Sequence, residues 1–187
     1  IQIQIFTTKI TNAIRRGSGN INGYDSIYYD GEIMRIQMNK NIENALINGV
    51  SLTTDFTSMD DLIITFSCNY LKGLANDKSP LAHIPPFNAK LSLNYKLRKH
   101  IIDYYTNYNA WKLSIDYDEA GVDNLEEATI DGSPSWFTHN IAYSNKIDKN
   151  ITIHFAVKNI LDAHYKTFSS GISGSGRNFI IALKAAF

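Results

Sequence analysis

The chain is 187 residues long, 44% hydrophobic, and carries 18 Lys and Arg against 18 Asp and Glu, so its formal net charge is zero. That balance excludes the basic footprint of a general nucleic-acid binder, which needs an excess of Lys and Arg on some face to neutralise phosphates. The single cysteine, Cys68, cannot form an internal disulfide, and the five histidines show no spacing suited to structural zinc. No run approaches the roughly 18 consecutive apolar residues of a membrane-spanning helix, and the mean hydropathy is -0.21. By hydropathy alone the chain reads as soluble. A β-barrel wall escapes that test, because it places apolar residues at every second position and never makes a long apolar run.

The chain opens on Ile1-Gln2-Ile3-Gln4-Ile5, already in strand-like alternation, with no initiator Met and no signal-peptide core, so it reads as the middle of a longer protein. Period-2 alternation, with many β-branched and aromatic residues, predicts eight strands over 1–16, 42–57, 61–73, 87–98, 101–117, 135–146, 149–161 and 177–187. No segment holds an apolar stripe at helical spacing for three turns, so an all-β, antiparallel fold is expected.

The links between these strands alternate in length. Short polar turns fall at Ser58-Met59-Asp60, Lys99-His100 and Lys146-Ile147-Asp148, while long segments rich in Gly, Ser, Asn and Asp fall at 17–41, 74–86, 118–134 and 162–176. A soluble sandwich gives no reason for all short turns to gather at one end, whereas an outer-membrane barrel has short periplasmic turns and long extracellular loops. The alternation supplies two faces. Phe179, Ile181, Leu183, Ala185 and Phe187 oppose Asn178, Ile180, Ala182, Lys184 and Ala186, and Ile151, Ile153, Phe155 and Val157 oppose Thr152, His154, Ala156 and Lys158. An inner face with Lys90, Asn94, Asp103, Asn107, Thr138, Asn140, Thr152, His154 and Lys158 would suit a wet lumen. Phe56, Tyr95, Tyr143 and Phe187 fall toward the short turns and Tyr70, Trp111, Trp136 and Phe137 toward the other rim, as two interfacial girdles require.

At the C-terminal side the run Val157-Lys158-Asn159-Ile160-Leu161-Asp162-Ala163-His164-Tyr165, then Ser169-Ser170-Gly171-Ile172 and Gly176-Arg177-Asn178-Phe179 closing on Phe187, resembles the end of a TonB-dependent outer-membrane receptor. Asn159, Asp162, Tyr165, Gly176 and Arg177 carry that motif. Pro80-Leu81-Ala82-His83-Ile84-Pro85-Pro86, Ser133-Pro134-Ser135-Trp136-Phe137 and Asp25-Ser26-Ile27-Tyr28-Tyr29-Asp30-Gly31 resemble further family blocks. The resemblance implies about eight strands of a transmembrane barrel of about 22 strands, with 1–187 its C-terminal part and the plug and N-terminal strands lying elsewhere. It also implies uptake of a scarce nutrient such as an iron–siderophore complex, in the outer membrane of a Gram-negative cell. The implied partners are outer-membrane lipid, the barrel-assembly machinery, the TonB complex through the N-terminal part, and a small nutrient ligand. Phe179, Ile181, Leu183 and Phe187 resemble the C-terminal signal that the assembly machinery reads.

Other residue groups suggest less. The glycines of 170–176 lack the Gly-Lys-(Ser/Thr) of a phosphate loop and the Gly-x-Ser-x-Gly of a nucleophile elbow. Asp116, Asp118, Glu119, Asp123, Glu126, Glu127 and Asp131 match no calcium loop and read as a solvated acidic loop. His83, His139 and His164 could meet a ligand from the loops, but with no second ligand at metal spacing they read as satisfied or solvent-facing. No catalytic residue, cofactor or metal is expected. Two other readings stay open. A self-contained small outer-membrane barrel or adhesion protein requires the first and last strands to pair, and a soluble β-sandwich binding domain requires Phe179, Ile181 and Leu183 to be covered by a second sheet.

Overall fold

In the computed structural model, residues 1–42, 44–58 and 61–186 are described, and one eight-stranded antiparallel sheet runs through them. Its strands are β1 (Gln2–Thr11), β2 (Asn44–Ser58), β3 (Leu62–Ala75), β4 (Asn88–Leu97), β5 (His100–Asn109), β6 (Trp136–Lys146), β7 (Ile151–Lys158) and β8 (Asn178–Ala185). Each pairs with its neighbours in chain order, an up-and-down meander in which β1 and β8 are the edges. These two edges do not pair with one another among the described residues, so the sheet is open and the small closed barrel lacks the contact it requires.

All eight expected strands form, and two stop earlier than the alternation suggests. The first ends at Thr11 because Asn12 turns to φ 54, and Ile14–Ser18 then pairs with Gln37–Asn41 as a separate ribbon. The expected 101–117 strand ends at Asn109. Beyond it Lys112–Leu113 pairs with Gly132–Ser133, and Ser114–Asp116 makes one tight helical turn. The 17–41 segment is itself ordered as ribbons, its tip a Ser26–Tyr29 and Glu32–Arg35 hairpin. Asp30 and Gly31 close that tip with φ 50 and 88, the positive pair that a two-residue hairpin turn with the native twist demands.

Register fixes the two faces. On one face β4 residues Ala89, Leu91, Leu93, Tyr95 and Leu97 stand opposite β5 residues Tyr108, Thr106, Tyr104, Ile102 and His100. The same face continues through Phe66, Cys68 and Tyr70 on one side and through Ile141, Tyr143, Phe155, Val157, Phe179 and Ile181 on the other. No second sheet covers it: Phe179, Ile181 and Leu183 are 71%, 77% and 69% exposed, which removes the sandwich reading. From Phe137 to Tyr143 this face spans about 20 Å along β6, close to the roughly 25 Å apolar band of a barrel wall. Trp136 differs from the girdle expectation. The pleat turns it to the opposite face, where its ring lies 4.5 Å from that of Tyr165.

Short and long connections segregate as expected. Arg98 and Lys99 join β4 to β5, and 147–150 joins β6 to β7, where Asp148 Oδ1 accepts the amides of Asn150 and Ile151 at 2.7 and 2.9 Å. Met59 and Asp60 of the first short turn lie outside the described residues, as does Phe187. On the inner face Gly49 makes room for a neighbour: a Cβ there would sit 2.2 Å from the Phe6 ring, which lies directly over the glycine from β1.

The outward face yields the first prediction. Ile141→Arg, midway along the outward row from Phe137 to Tyr143, places a charge on the apolar band and should cost about 2–4 kcal/mol of insertion near the bilayer midplane. Ala142→Arg, one residue along and facing inward, should cost far less. Urea titration of the chain refolded into phosphatidylcholine vesicles compares the two, and equal losses would contradict the assignment of faces.

Candidate functional site

The inner face of the sheet is polar and internally bonded. Thr65 donates to Asp55 at 2.6 Å, Asn69 to Asn88 at 3.1 Å, and Asn94 to Asp103, while the Lys90 ammonium sits 5.1 Å over the Tyr105 ring. Ser144 and His154 lie 2.8 Å apart, and Asn140 donates to the Tyr105 carbonyl at 3.2 Å. These are cross-strand partners on a single side of the pleat, as the sequence alternation indicated for Lys90, Asn94, Asp103, Asn140 and His154.

At the long-loop end three segments pack into a cluster around a buried lysine. Lys112 is 4% exposed, its ammonium donates to the Ile84 carbonyl, and it lies 5.0 and 4.5 Å from the rings of Tyr117 and Phe168. Burial pushes the Lys112 pKa below its usual value, partly opposed by the carboxylates of Asp123, Asp116 and Asp118. Asp123, 1% exposed, accepts the His83 backbone N–H at 2.8 Å on Oδ2, and its Oδ1 lies 3.0 Å from His83 Nδ1. Asp118 is buried too, with Oδ2 accepting the Ala120 amide at 2.9 Å. The acidic segment is therefore not uniformly solvated. Asp116, Glu119, Glu126, Glu127 and Asp131 are exposed, but Asp118 and Asp123 turn inward toward the one cation buried there.

Arg15 ties the first loop to this cluster. Its guanidinium lies 3.6 Å from both Asp77 and Glu119 and donates to Ser79. The Ser79 hydroxyl, then its amide, hold the Asp77 carboxyl below its ordinary pKa. Beside Arg15 a cleft of about 430 Å³ opens against the inner wall, lined among others by Arg16, Asn39, Ile47, His83 and Val122. It joins Arg15, Arg16 and the Asp118 carboxylate to an amide and apolar walls, the mixture that holds a small polar ligand with apolar parts.

Of the five motif residues near the C-terminal side, Asn159, Asp162, Gly176 and Arg177 are linked in space while Tyr165 packs beside them on Trp136 and Gly174, and most of their bonds go to the backbone. Asn159 adopts φ 49 and is 3% exposed. Its side-chain N–H groups reach the carbonyls of Ala163 and Ser175 at 2.8 and 3.0 Å, its Oδ1 accepts the Ala163 amide at 3.0 Å, and its own amide donates to Asn140 Oδ1 at 3.0 Å. Asp162 Oδ1 accepts the Arg177 amide at 2.6 Å and lies 2.8 Å from where a Gly176 Cβ would stand. Arg177 Nε donates to the Ile160 carbonyl at 2.8 Å. Tyr165 packs on Trp136 and covers Gly174, whose Cβ would be 2.3 Å from the ring. Together they form a clasp that returns the chain from β7 to β8. Asn140, Gly174 and Lys112 were not singled out from sequence for these contacts, and only the Asn-x-x-Asp spacing gave a local signal.

The histidines separate. His83 points from its loop at Asp123, and His164 lies 3.0 Å from Ser173. His139 is on the outward face, 2.6 Å from the Tyr104 hydroxyl, and its carbonyl accepts the Ile160 amide at 2.8 Å. No group of three or more His, Cys, Asp and Glu at metal-binding geometry occurs among the described residues. Phe179, Ile181 and Leu183 share the outward face of β8, while Phe187 lies outside the described residues.

A family profile described as "TonB dependent receptor-like, beta-barrel" matches residues 1–160. The chain belongs to that family. It is therefore a stretch of outer-membrane β-barrel wall, and its relatives are receptors and transporters. Among solved structures it is similar to the copper transporter OprC, with TM-score 0.75, 17% identity, 99% of this chain and 28% of that one covered. It is similar also to the siderophore receptor PirA from Acinetobacter baumannii, with TM-score 0.69 and 17% identity, covering 99% of this chain and 29% of that one. The ferric enterobactin receptor PfeA of Pseudomonas aeruginosa gives TM-score 0.70 at 16% identity, again with 99% and 29% covered. The chain thus spans less than a third of the length of these proteins, and at such identities what is shared is the fold. No curated protein matches the chain significantly.

Two predictions follow from the loop end. Asn159→Ala removes the buried side-chain bonds and puts a Cβ-bearing residue without a local hydrogen bond at positive φ. It should destabilise the clasp by about 2–4 kcal/mol. Asn159→Gly keeps the backbone freedom and should lose less. Limited proteolysis within 162–176 reads the difference. For Lys112, whose folded pKa lies below 10.5, the unfolded loop binds more protons. Loop stability should therefore rise with pH from the folded pKa up toward 10.5, and Lys112→Met should flatten that rise. Hydrogen exchange of the 110–135 segment, corrected for its intrinsic pH dependence, measures the slope.

Proposed function

We propose that the chain is the C-terminal part of the barrel of a TonB-dependent receptor that imports a scarce nutrient, with an iron–siderophore complex as its cargo. The observation that carries this reading is the sheet itself. One face is a continuous apolar band, the other a bonded polar wall, both edges are without a strand partner among the described residues, and the long loops gather over one end with an arginine-bearing cleft beneath them. A polar inner wall suits contact with a hydrated plug, and Arg16 beside the cleft, next to the carboxylate-paired Arg15, suits an anionic chelate. Similarity to proteins described as siderophore receptors supports the cargo. Copper, suggested by the name of OprC, is the second reading; the absence of a group of three or more His, Cys, Asp and Glu at metal-binding geometry among the described residues gives it no site in this part of the wall.

On this reading energy coupling belongs to a plug and a TonB-contacting segment on the N-terminal side. The exposed row Phe179, Ile181 and Leu183 is, together with the Phe187 of the sequence motif, the element offered to the barrel-assembly machinery. No covalent chemistry is assigned to any residue of the wall.

The reading predicts, upstream of Ile1, an in-frame stretch encoding a plug and the remaining strands, and a secretory signal placed immediately before Ile1 would overturn it. In the intact receptor, deletion of the locus should lower accumulation of radiolabelled ferric siderophore in iron-starved cells and leave copper accumulation unchanged. The reverse pattern would transfer the cargo to copper.

A further inference from the structure

The outward face carries charge at one place only. Following the register from β1 to β8, every described strand residue on that face is apolar, aromatic or uncharged polar except Lys9 and Lys72, and none is acidic. The inner face, by contrast, mixes both signs, with Asp55, Asp103, Lys90, Lys96, Lys158 and Lys184. The two outward lysines are neighbours. Lys9 stands opposite Leu46, which stands opposite Leu74, while Lys72 stands opposite Asn48, which stands opposite Thr7. They are thus two strands and two residues apart, about 12 Å.

Both lie at the long-loop end of the apolar band, and Tyr70 is the next outward residue below Lys72 on β3. Both are exposed, and neither ammonium makes an ion pair or hydrogen bond among the described residues. Beside Lys72 a cleft of about 300 Å³ opens, with Tyr70, Pro86, Phe87 and Trp111 in its lining. Tyr70 and Trp111 are 50% and 44% exposed. An unpaired ammonium pair above an aromatic rim, next to an apolar cleft, is complementary to an amphiphile with a negative head.

We propose that Lys9 and Lys72 form a docking site for a phosphate-bearing lipid headgroup of the leaflet on the long-loop side, with the cleft beside Lys72 receiving the start of its acyl portion. The inference rests on the barrel reading above, because only a wall facing lipid brings headgroups to this height. Long lysine stems lie along the apolar band while the ammonium groups reach the interface, where each adds to attraction for anionic lipid. No described strand residue of the face is a carboxylate, and Asp116, which lines the cleft from the loop side, shares that lining with Lys112.

Native mass spectrometry of the intact receptor that contains this wall, in a zwitterionic detergent, tests the site with phosphatidylglycerol and phosphatidylcholine as probes. The receptor should retain phosphatidylglycerol in preference to phosphatidylcholine. Lys9→Gln with Lys72→Gln should weaken that retention on the order of 20-fold. Lys9→Arg with Lys72→Arg should preserve it, and Lys90→Gln with Lys158→Gln, on the inner face, should leave it unchanged. Persistence of the preference in the double Gln variant, or its loss in the inner-face variant, would overturn the proposal. So would complete displacement of the lipid by millimolar inorganic phosphate, which would mark a small-anion site instead. Heat-modifiable gel mobility of each variant reports folding separately, and an intact receptor in which Lys9 and Lys72 were labelled by a water-soluble amine reagent from the barrel lumen would sink the barrel reading itself and this site with it.

Discussion

A backbone in hydrocarbon has no water to bond to, so each strand of a membrane wall needs a partner along both sides. Everything else in this structure follows from how far that condition is met. β2 to β7 are paired on both sides, with registers that run without a break along the shared strand lengths. β1 and β8 are each paired on one side. On the proposed reading the remaining rows of N–H and C=O groups meet further strands of the same barrel. The constraint also accounts for the choice of secondary structure, since no helix in the described residues is long and apolar enough to cross a bilayer and the crossing is made by strands.

With the ladder in place, a pleat of period two does the sorting between two solvents. Outward residues need not pack against protein, which is why conventionally buried hydrophobic residues are few: Ala45, Ala75, Tyr117 and Ala156. Tyr117 belongs to the loops, where the solvent is water and the older rule of an inside and an outside returns. There the inside is unusually polar, with Lys112, Asp118 and Asp123 taken out of water together. Burying one of these alone would be costly, whereas a cation among carboxylates, a carbonyl and two rings is compensated on several sides. The loop cluster is thus held by a mutual charge arrangement, and the clasp around Asn159 holds the next connection by backbone hydrogen bonds.

The sheet was legible because its signal is local and repeated. Ile151, Ile153, Phe155 and Val157 announce their face from four alternate positions, and their partners on β8 do the same, so register adds agreement between strands rather than new information. The segregation of short turns from long loops was legible for a similar reason. What escaped depends on contacts between distant segments. Nothing near Lys112 in the chain tells of Ile84, Phe168 and Asp123 closing around it. Trp136 was read by its type, as an interfacial aromatic, when parity with Thr138 and Asn140 already put it on the inner side. Where the first strand ended was set by one residue, Asn12, whose positive φ interrupts an alternation that otherwise continues to Arg16. Asn159, Asp162, Gly176 and Arg177 were legible as a motif but not as a structure, because the carbonyls they bind carry no side-chain signature.

Cys68 sits on the outward face of β3, opposite Leu52 on one side and Ala89 on the other. A thiol reacts as its thiolate, and a hydrocarbon surround disfavours that anion. The sole sulfhydryl of the chain is thereby shielded by the bilayer from water-borne oxidants and from exchange with periplasmic disulfide carriers while the wall is embedded. Before insertion no such shield exists. The same side chain that is inert in the finished wall is a reactive thiol in the unassembled chain as it crosses an oxidising compartment, so its chemical state records whether insertion came in time.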